Sequence, residues 1–136
     1  MKTAKTSVTL ADIDNRDLGE YGIEDALAAF DAFPWLEEVQ RSKRLDAEGK
    51  ECVSPDMTFT IWPYHFTVTV NEAPTALDIE LCVQKKAKFL GLVPMTSTKF
   101  FEFKAVSRDE FQRLLRAFFS LSESEQLAFY GGIKSG

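Results

Sequence analysis

Residues 57–70 read Met57-Thr-Phe-Thr-Ile-Trp-Pro-Tyr-His-Phe-Thr-Val-Thr-Val70, and apolar and polar side chains alternate on both sides of Trp62 and Pro63. Because neighbouring residues of a strand point to opposite faces, this alternation predicts two strands that are buried on one side only. Pro63 suits a hairpin loop and does not suit a central strand. The alternation returns in residues 76–84 and 99–106. Residues 57–106 therefore predict an antiparallel sheet of about four to five strands.

The alternation also assigns each side chain of this sheet to one of two faces. The apolar face collects Met57, Phe59, Ile61, Phe66, Val68, Val70, Leu77, Ile79, Leu81, Val83, Phe101, Phe103 and Ala105. The opposite face is rich in threonine and collects Thr58, Thr60, Trp62, His65, Thr67, Thr69, Asp78, Glu80, Cys82, Gln84, Phe100, Glu102 and Lys104. Residues 89–93 do not alternate, which is typical of a strand covered on both faces.

Helices are predicted on both sides of this sheet in the chain. Apolar residues from Ile23 to Phe33 recur at helical spacing, and Pro34 starts a second helix that ends near Gly49. Two capping boxes, Ser107 with Glu110 and Ser122 with Glu125, begin two C-terminal helices, and Gly131 and Gly132 end the second. Residues 6–10 are interpreted as a short edge strand and residues 12–22 as a polar loop. The fold class is thus a two-layer α+β domain, with N-terminal and C-terminal helices covering one face of the sheet.

Length and composition are those of one globular domain spanning residues 1–136. The chain is 45% hydrophobic and contains 12 phenylalanines, which is enough for a single core. No apolar run approaches the roughly 20 residues that a membrane-spanning helix needs, and residues 1–10 lack the apolar segment of a secretory signal. We therefore expect a cytoplasmic protein that does not bind membranes and keeps Cys52 and Cys82 as free thiols.

The net charge of -5 is unevenly spread. The excess of acids lies in residues 1–56, and Arg16 is the one basic residue among the acids from Asp12 to Glu38. Such a surface repels the phosphates of nucleic acids and attracts a basic protein. The alternative is a solvated acidic face that serves solubility alone.

Known catalytic and metal-binding patterns do not fit this sequence. The sequence has one histidine, His65. It lies far from Cys52 and Cys82 in the chain, and the spacings of the three residues match no common zinc site. A calcium loop counted from Asp12 fails, because its fifth, sixth and twelfth positions are Arg16, Asp17 and Ile23. Asp78 and Glu80 lie on the same face of a strand, an arrangement that acid–base catalysts use. Ordinary exposed carboxylates on a strand have the same arrangement without any catalytic role. The sequence thus favours a protein without catalytic residues, metal or cofactor over an enzyme.

The remaining signal is surface recognition. Aromatic side chains set among small hydroxyls are typical of binding patches. We therefore predict a non-enzymatic module that binds another protein through the acidic N-terminal surface, the threonine-rich face, or both. Its composition, though no sequence motif, is similar to that of small acidic immunity proteins and inhibitors. The predicted binding residues are Trp62, His65, Thr67, Thr69, Asp78, Glu80, Phe100, Asp12, Asp14, Asp17, Glu37 and Glu38.

Two other hypotheses stay open. One is a small-ligand or enzyme site in the concavity of the sheet, built around His65, Trp62, Asp78 and Glu80. The other is a homo-oligomer joined through the threonine-rich face. If residues 6–10 or the N-terminal loop folded over the threonine-rich face, that face could not bind a protein, a ligand or a second copy of the chain. Trp35 is interpreted as a core residue and not as an exposed anchor.

Overall fold

The computed structural model describes residues 2–86 and 95–134, with the backbone alone for residues 84–86, 95–100, 123, 127, 133 and 134. It forms one six-stranded sheet and a set of helices, which confirms the predicted mixed α+β class. The elements in chain order are β1 (Ala4–Thr9), β2 (Asn15–Tyr21), α1 (Ile23–Ala32), α2 (Trp35–Ala47), β3 (Asp56–Ile61), β4 (Tyr64–Val70), β5 (Leu77–Lys86), β6 (Met95–Val106), α3 (Arg108–Ser120) and α4 (Glu123–Lys134).

The sheet has the strand order β2-β1-β3-β4-β5-β6, and every neighbouring pair is antiparallel. The described part of residues 56–106 contains four strands, β3 to β6, in agreement with the predicted four to five, and the sheet as a whole is larger because β1 and β2 also belong to it. β1 is not the expected edge strand but lies between β2 and β3. The predicted loop over residues 12–22 contains β2 instead, whose side chains are mostly exposed, so that no alternation marks it. Residues 89–93, predicted as a further strand, lie outside the described residues.

The apolar face of the sheet and the helices share one core. Phe66 of β4 is fully buried, and its ring centroid lies 6.3 Å from Phe59 of β3, 6.2 Å from Phe111 and 5.5 Å from Phe118 of α3. Phe111 in turn packs 4.4 Å from Phe30 of α1. Tyr130 of α4 contacts the half-buried Phe101 and Phe103 of β6. The helical layer thus lies on the face that the alternation predicted to be apolar.

One apolar-face assignment was wrong. Ala105 is exposed, because β6 contains an extra residue there: Leu77 pairs with Val106, whereas Ile79 pairs with Phe103. Ala105 adopts a φ of 53°, and its N–H donates to the Asp78 carboxylate at 3.0 Å. The bulge returns Val106 to the core.

The helix boundaries agree with their sequence signals at most ends. The chain breaks at Pro34, which directly precedes α2, and the Ser107 hydroxyl accepts the Glu110 N–H at 3.1 Å. Both halves of the second capping box form between Ser122 and Glu125. The predicted end at Gly131 and Gly132 was wrong, since α4 continues to Lys134. Tyr130 anchors this helix through a 2.8 Å hydrogen bond to the Leu114 carbonyl, and glycine within a helix costs only about 1 kcal/mol.

Replacing Phe66 with alanine tests the role of the shared core. We expect a loss of about 3–5 kcal/mol in the free energy of unfolding, because the ring joins the sheet to α3 and its removal leaves a cavity. Urea unfolding followed by circular dichroism measures this. The matched control is Thr67→Ala, one residue along the same strand, which removes a single hydrogen bond worth about 1 kcal/mol. Equal losses from the two variants would contradict the one-sided core.

Candidate functional site

The side chains that point away from the helices form three rows across the sheet, which we call the polar face. The first row, near the segments that precede β2, β3 and β5, is Asn15, Thr9, Asp56, Thr69 and Asp78. The middle row is Asp17, Ser7, Thr58, Thr67, Glu80 and Glu102. The third row is Glu20, Lys5, Thr60, His65 and Cys82. Each row is a set of directly paired cross-strand neighbours, whose side chains lie close together.

The part of the chain that the structure describes leaves the polar face open. Every side chain described in these rows keeps some solvent exposure, from half-buried in the centre to exposed along β2. The segment that residues 6–10 contribute does not fold over the face but extends it as β1. The sequence-based list missed Lys5, Ser7 and Thr9 on β1, for which the weak alternation of residues 6–10 was the available signal. On β2 it named Asp17 as an N-terminal acid and missed Asn15 and Glu20, which no alternation marks. An extended surface is therefore accessible to a partner.

Hydrogen bonds within the face hold several of its side chains in place. The hydroxyl oxygens of Thr58 and Thr67 lie 3.1 Å apart. In the third row, the Thr60 hydroxyl lies 2.9 Å from Nδ1 of His65 on the neighbouring strand. At the β2 edge, the Asn15 amide donates to the Thr9 hydroxyl at 3.0 Å. Side chains that are already ordered lose less conformational entropy on binding, so this network suits recognition.

Trp62 stands at the end of the polar face, in the turn between β3 and β4. Its side chain is 58% exposed, and its ring meets the His65 ring edge-on with centroids 6.1 Å apart. Phe100, the other predicted aromatic anchor, is the extra residue where the pairing of β6 with β5 shifts between Phe101 and Lys99. The side chain of Phe100 lies outside the described part of the chain. Trp62 is thus the large apolar group that this surface offers to a partner.

The first row holds a carboxylate that pairs with no basic side chain among the described residues. Asp56 is half-buried between Thr9 and Thr69 and forms no ion pair with any described residue. Burial raises the pKa of its carboxyl, and a hydrogen bond from the Thr9 hydroxyl acts in the opposite direction. Asp78, at the other end of the row, accepts hydrogen bonds from the Asn71 amide and the Ala105 N–H. Asp78 therefore stabilises the bulge, whereas Asp56 costs stability when it is ionised.

The sheet register brings His65 and Cys82 together, as neighbours on adjacent strands. The Cys82 thiol lies 3.0 Å from the Glu80 carboxylate, to which it donates a hydrogen bond. The hydrogen bond to a carboxylate holds this thiol as a polar contact within the face. Cys52 lines a separate cavity beside α2 and is also a free thiol. This arrangement favours polar contacts by Cys82 over nucleophilic catalysis.

The cleft on the polar face is small. It has a volume of about 220 Å³ between Thr69, Asp78, Glu80, Glu102 and Lys104, and His65 does not line it. Typical ligand sites enclose roughly 300–1,000 Å³. Within residues 2–86 and 95–134, no three histidine, cysteine or acidic side chains are placed to hold a metal ion. The geometry therefore gives the ligand-site hypothesis little support.

The acidic N-terminal residues lie in different places. Asp12 and Glu38 meet at Arg41, whose guanidinium is 2.6 Å from the first and 3.2 Å from the second, and Glu38 also accepts the Ala11 N–H. The backbone N–H of Asp14 lowers the pKa of Asp12, and Arg41 adds to this effect. Asp14 pairs with Arg16 at 3.1 Å. These acids are partly neutralised, a fact that their sequence spacing does not show.

Asp17 and Glu37, the other two predicted acids, belong to separate surfaces. Asp17 lies in the middle row of the polar face and accepts the Gly19 N–H at 2.9 Å. Glu37 lines a cavity at the junction of α1 and α2, which neither Asp12 nor Glu38 lines. The N-terminal acids therefore do not form the single charged surface that their clustering in the sequence suggested.

Comparison of this chain with protein-family models, with curated proteins and with solved structures finds no match. Of the helices in the described part of the chain, none has the length and apolar character that crossing a bilayer requires.

Replacing Asp56 with asparagine tests the strain in the first row. The folded-state pKa of this carboxyl is raised, so its protonated form favours folding, and this contribution is lost as the pH rises through the folded-state pKa. We expect Asp56→Asn to raise the Tm at pH 7 and to make stability less dependent on pH above about 4. Thermal unfolding between pH 4 and pH 8 measures both effects. Asp46→Asn, at an exposed site on α2, is the control, and a Tm gain no larger than in this control would contradict the prediction.

Proposed function

We propose that this chain is a non-enzymatic binding module, of the small acidic inhibitor or immunity-protein type, that takes a basic partner protein on its polar face. The observation that carries the proposal is the open, hydrogen-bonded face itself, with Trp62 exposed at its end. Protein interfaces are centred on aromatic anchors and surrounded by polar groups that exclude water. An ordered hydroxyl array beside an exposed indole supplies both parts.

The charge of the face supports a basic partner. Among the described side chains, its carboxylates outnumber its ammonium groups: the acids are Asp17, Glu20, Asp56, Asp78, Glu80 and Glu102, and the bases are Lys5 and, beside Glu102, Lys104. An excess of one charge steers an oppositely charged protein toward a surface and increases the association rate. Asp56, with no basic partner in the described chain, would gain one from a lysine or arginine of the bound protein.

The state of the two cysteines is relevant to the cellular compartment of the protein. Cys52 and Cys82 are free thiols and half-buried. Free thiols persist in a reducing environment, and we place the module in the cytoplasm as part of the proposal.

Site-specific photocrosslinking tests the proposed face. A benzoylphenylalanine at position 67, in the middle row, should form adducts with a partner in extracts of the native host. The same group at position 128, exposed on α4, is the control and should give none of these adducts. Mass spectrometry identifies the adduct. Adducts formed from position 128 alone would contradict the proposal, and an adduct of two copies of this chain would support a homo-oligomer instead.

The identified partner then allows an affinity measurement. We expect Trp62→Ala to weaken binding at least tenfold, as for a central anchor, without lowering the Tm. We also expect the affinity to fall between 50 mM and 500 mM salt, because the attraction is between opposite charges. Ile13→Ala is the matched control, since Ile13 is 45% exposed and lies off the polar face. Unchanged affinity in Trp62→Ala, or affinity independent of salt, would overturn the proposed mode of binding.

A further inference from the structure

A second surface lies at the corner where α1 meets α2. The turn between β4 and β5 and the first residue of α3 complete a groove of about 540 Å³ there, which we call the corner groove. Phe33, Pro34, Leu36, Glu37, Pro74 and Arg108 line it, and no residue of the polar face does. It is more than twice as large as the cleft on the polar face. A function of this groove is therefore independent of the function proposed above.

The base of the corner groove is apolar and held in place. Trp35 is 3% exposed, and its ring lies 4.5 Å from Phe33 and 5.0 Å from Phe30. The indole N–H donates to the Phe30 carbonyl at 2.7 Å, which fixes the orientation of the ring. Leu36, by contrast, is 56% exposed at the side of the groove. A preformed concave surface with an exposed leucine suits the burial of an apolar side chain.

The charged residues around the corner groove favour a positively charged ligand over a negatively charged one. The Arg108 guanidinium donates from two nitrogens to Asp31 and from the third to Gln112. Its charge and all three of its nitrogens are thus already engaged within the protein. Glu37, on the same rim, has no ion pair among the described residues. Because Asp31 already pairs with Arg108, an anionic ligand would find no available positive charge in Arg108. A cationic ligand could pair with the Glu37 carboxylate.

We propose that the corner groove binds a short segment of a partner protein in which an apolar side chain is followed by lysine or arginine. The apolar side chain packs against Leu36, Phe33 and Pro74, and the cation pairs with Glu37. Apolar burial supplies most of the affinity, because an exposed ion pair contributes only up to about 1 kcal/mol. The partner is thus defined by an apolar anchor and an adjacent positive charge.

The test uses Trp35 as the reporter and a peptide of defined sequence as the probe. The chain has two tryptophans, so the Trp62→Phe protein leaves Trp35 as the sole one. An octapeptide with Leu-Arg at its centre, flanked by glycine and serine, should change Trp35 emission in a saturable way. Peptides with Ser-Arg or Leu-Glu at the centre should bind at least about fivefold more weakly, since each lacks one of the two contacts. Equal binding of the three peptides, or no saturation by the Leu-Arg peptide, would overturn the proposal.

Protein variants locate the binding in the groove. We expect Leu36→Asp, and the milder Leu36→Ser, to weaken binding of the Leu-Arg peptide at least fivefold, and Glu37→Gln to weaken it about threefold. Ile13→Asp is the control for the leucine, and Asp25→Asn, in the first turn of α1, is the control for the glutamate. Equal losses in the controls would overturn the assignment. Sedimentation of the unmodified protein adds a further outcome: a dimer that Leu36→Asp abolishes would show that a second copy occupies the groove, contrary to the proposal.

Discussion

The burial of only one face of the sheet is the constraint on which the rest of this structure depends. Phe59, Phe66 and Ile79 are buried from three adjacent strands, and each is followed by a polar residue on the other face. A slip of one residue in any strand would expose its apolar side chains and bury its threonines or carboxylates. The same register that secures the core therefore aligns the polar residues into rows. The surface proposed for binding is a direct consequence of the requirement for a core.

The parts of the fold that could be predicted are those in which one local signal dominates. Strict alternation identified β3, β4 and β5, and the Ser107 and Ser122 caps identified the starts of α3 and α4. β2 escaped prediction because it is an edge strand with few buried side chains. The Ala105 bulge escaped because its cause lies outside its own segment: the Asp78 carboxylate, on β5, accepts the N–H that the extra residue presents. The continuation of α4 through Gly131 is likewise decided by a tertiary contact, that of Tyr130 with Leu114.

The candidate site shows the same division. Membership of the polar face followed from alternation alone, so Thr67, Thr69, Asp78 and Glu80 lie where the sequence placed them. The ion pairs could not be predicted from the sequence pattern, because they join residues that are distant in the chain. Arg41 neutralises Asp12 from 29 positions away, and Arg108 does the same for Asp31 from 77. Sequence clustering of acids therefore did not show which of them are paired, and it did not distinguish Glu37, which has no ion pair among the described residues.

The features that identify the two proposed surfaces are those that folding does not explain. Isolated exposed apolar residues are common, so Trp62 and Leu36 alone would indicate little. Each, however, lies on a surface that bears a carboxylate with no ion pair among the described residues: Trp62 ends the face whose opposite end holds Asp56, and Leu36 adjoins Glu37. Asp56 lowers the stability of the folded protein in its ionised form, and a fold selected for stability alone would favour a neutral residue there. A partner that supplies a positive charge and covers the indole would offset this cost. The proposed binding of a basic partner would thus account for the exposed indole and for the cost of Asp56 through one interaction.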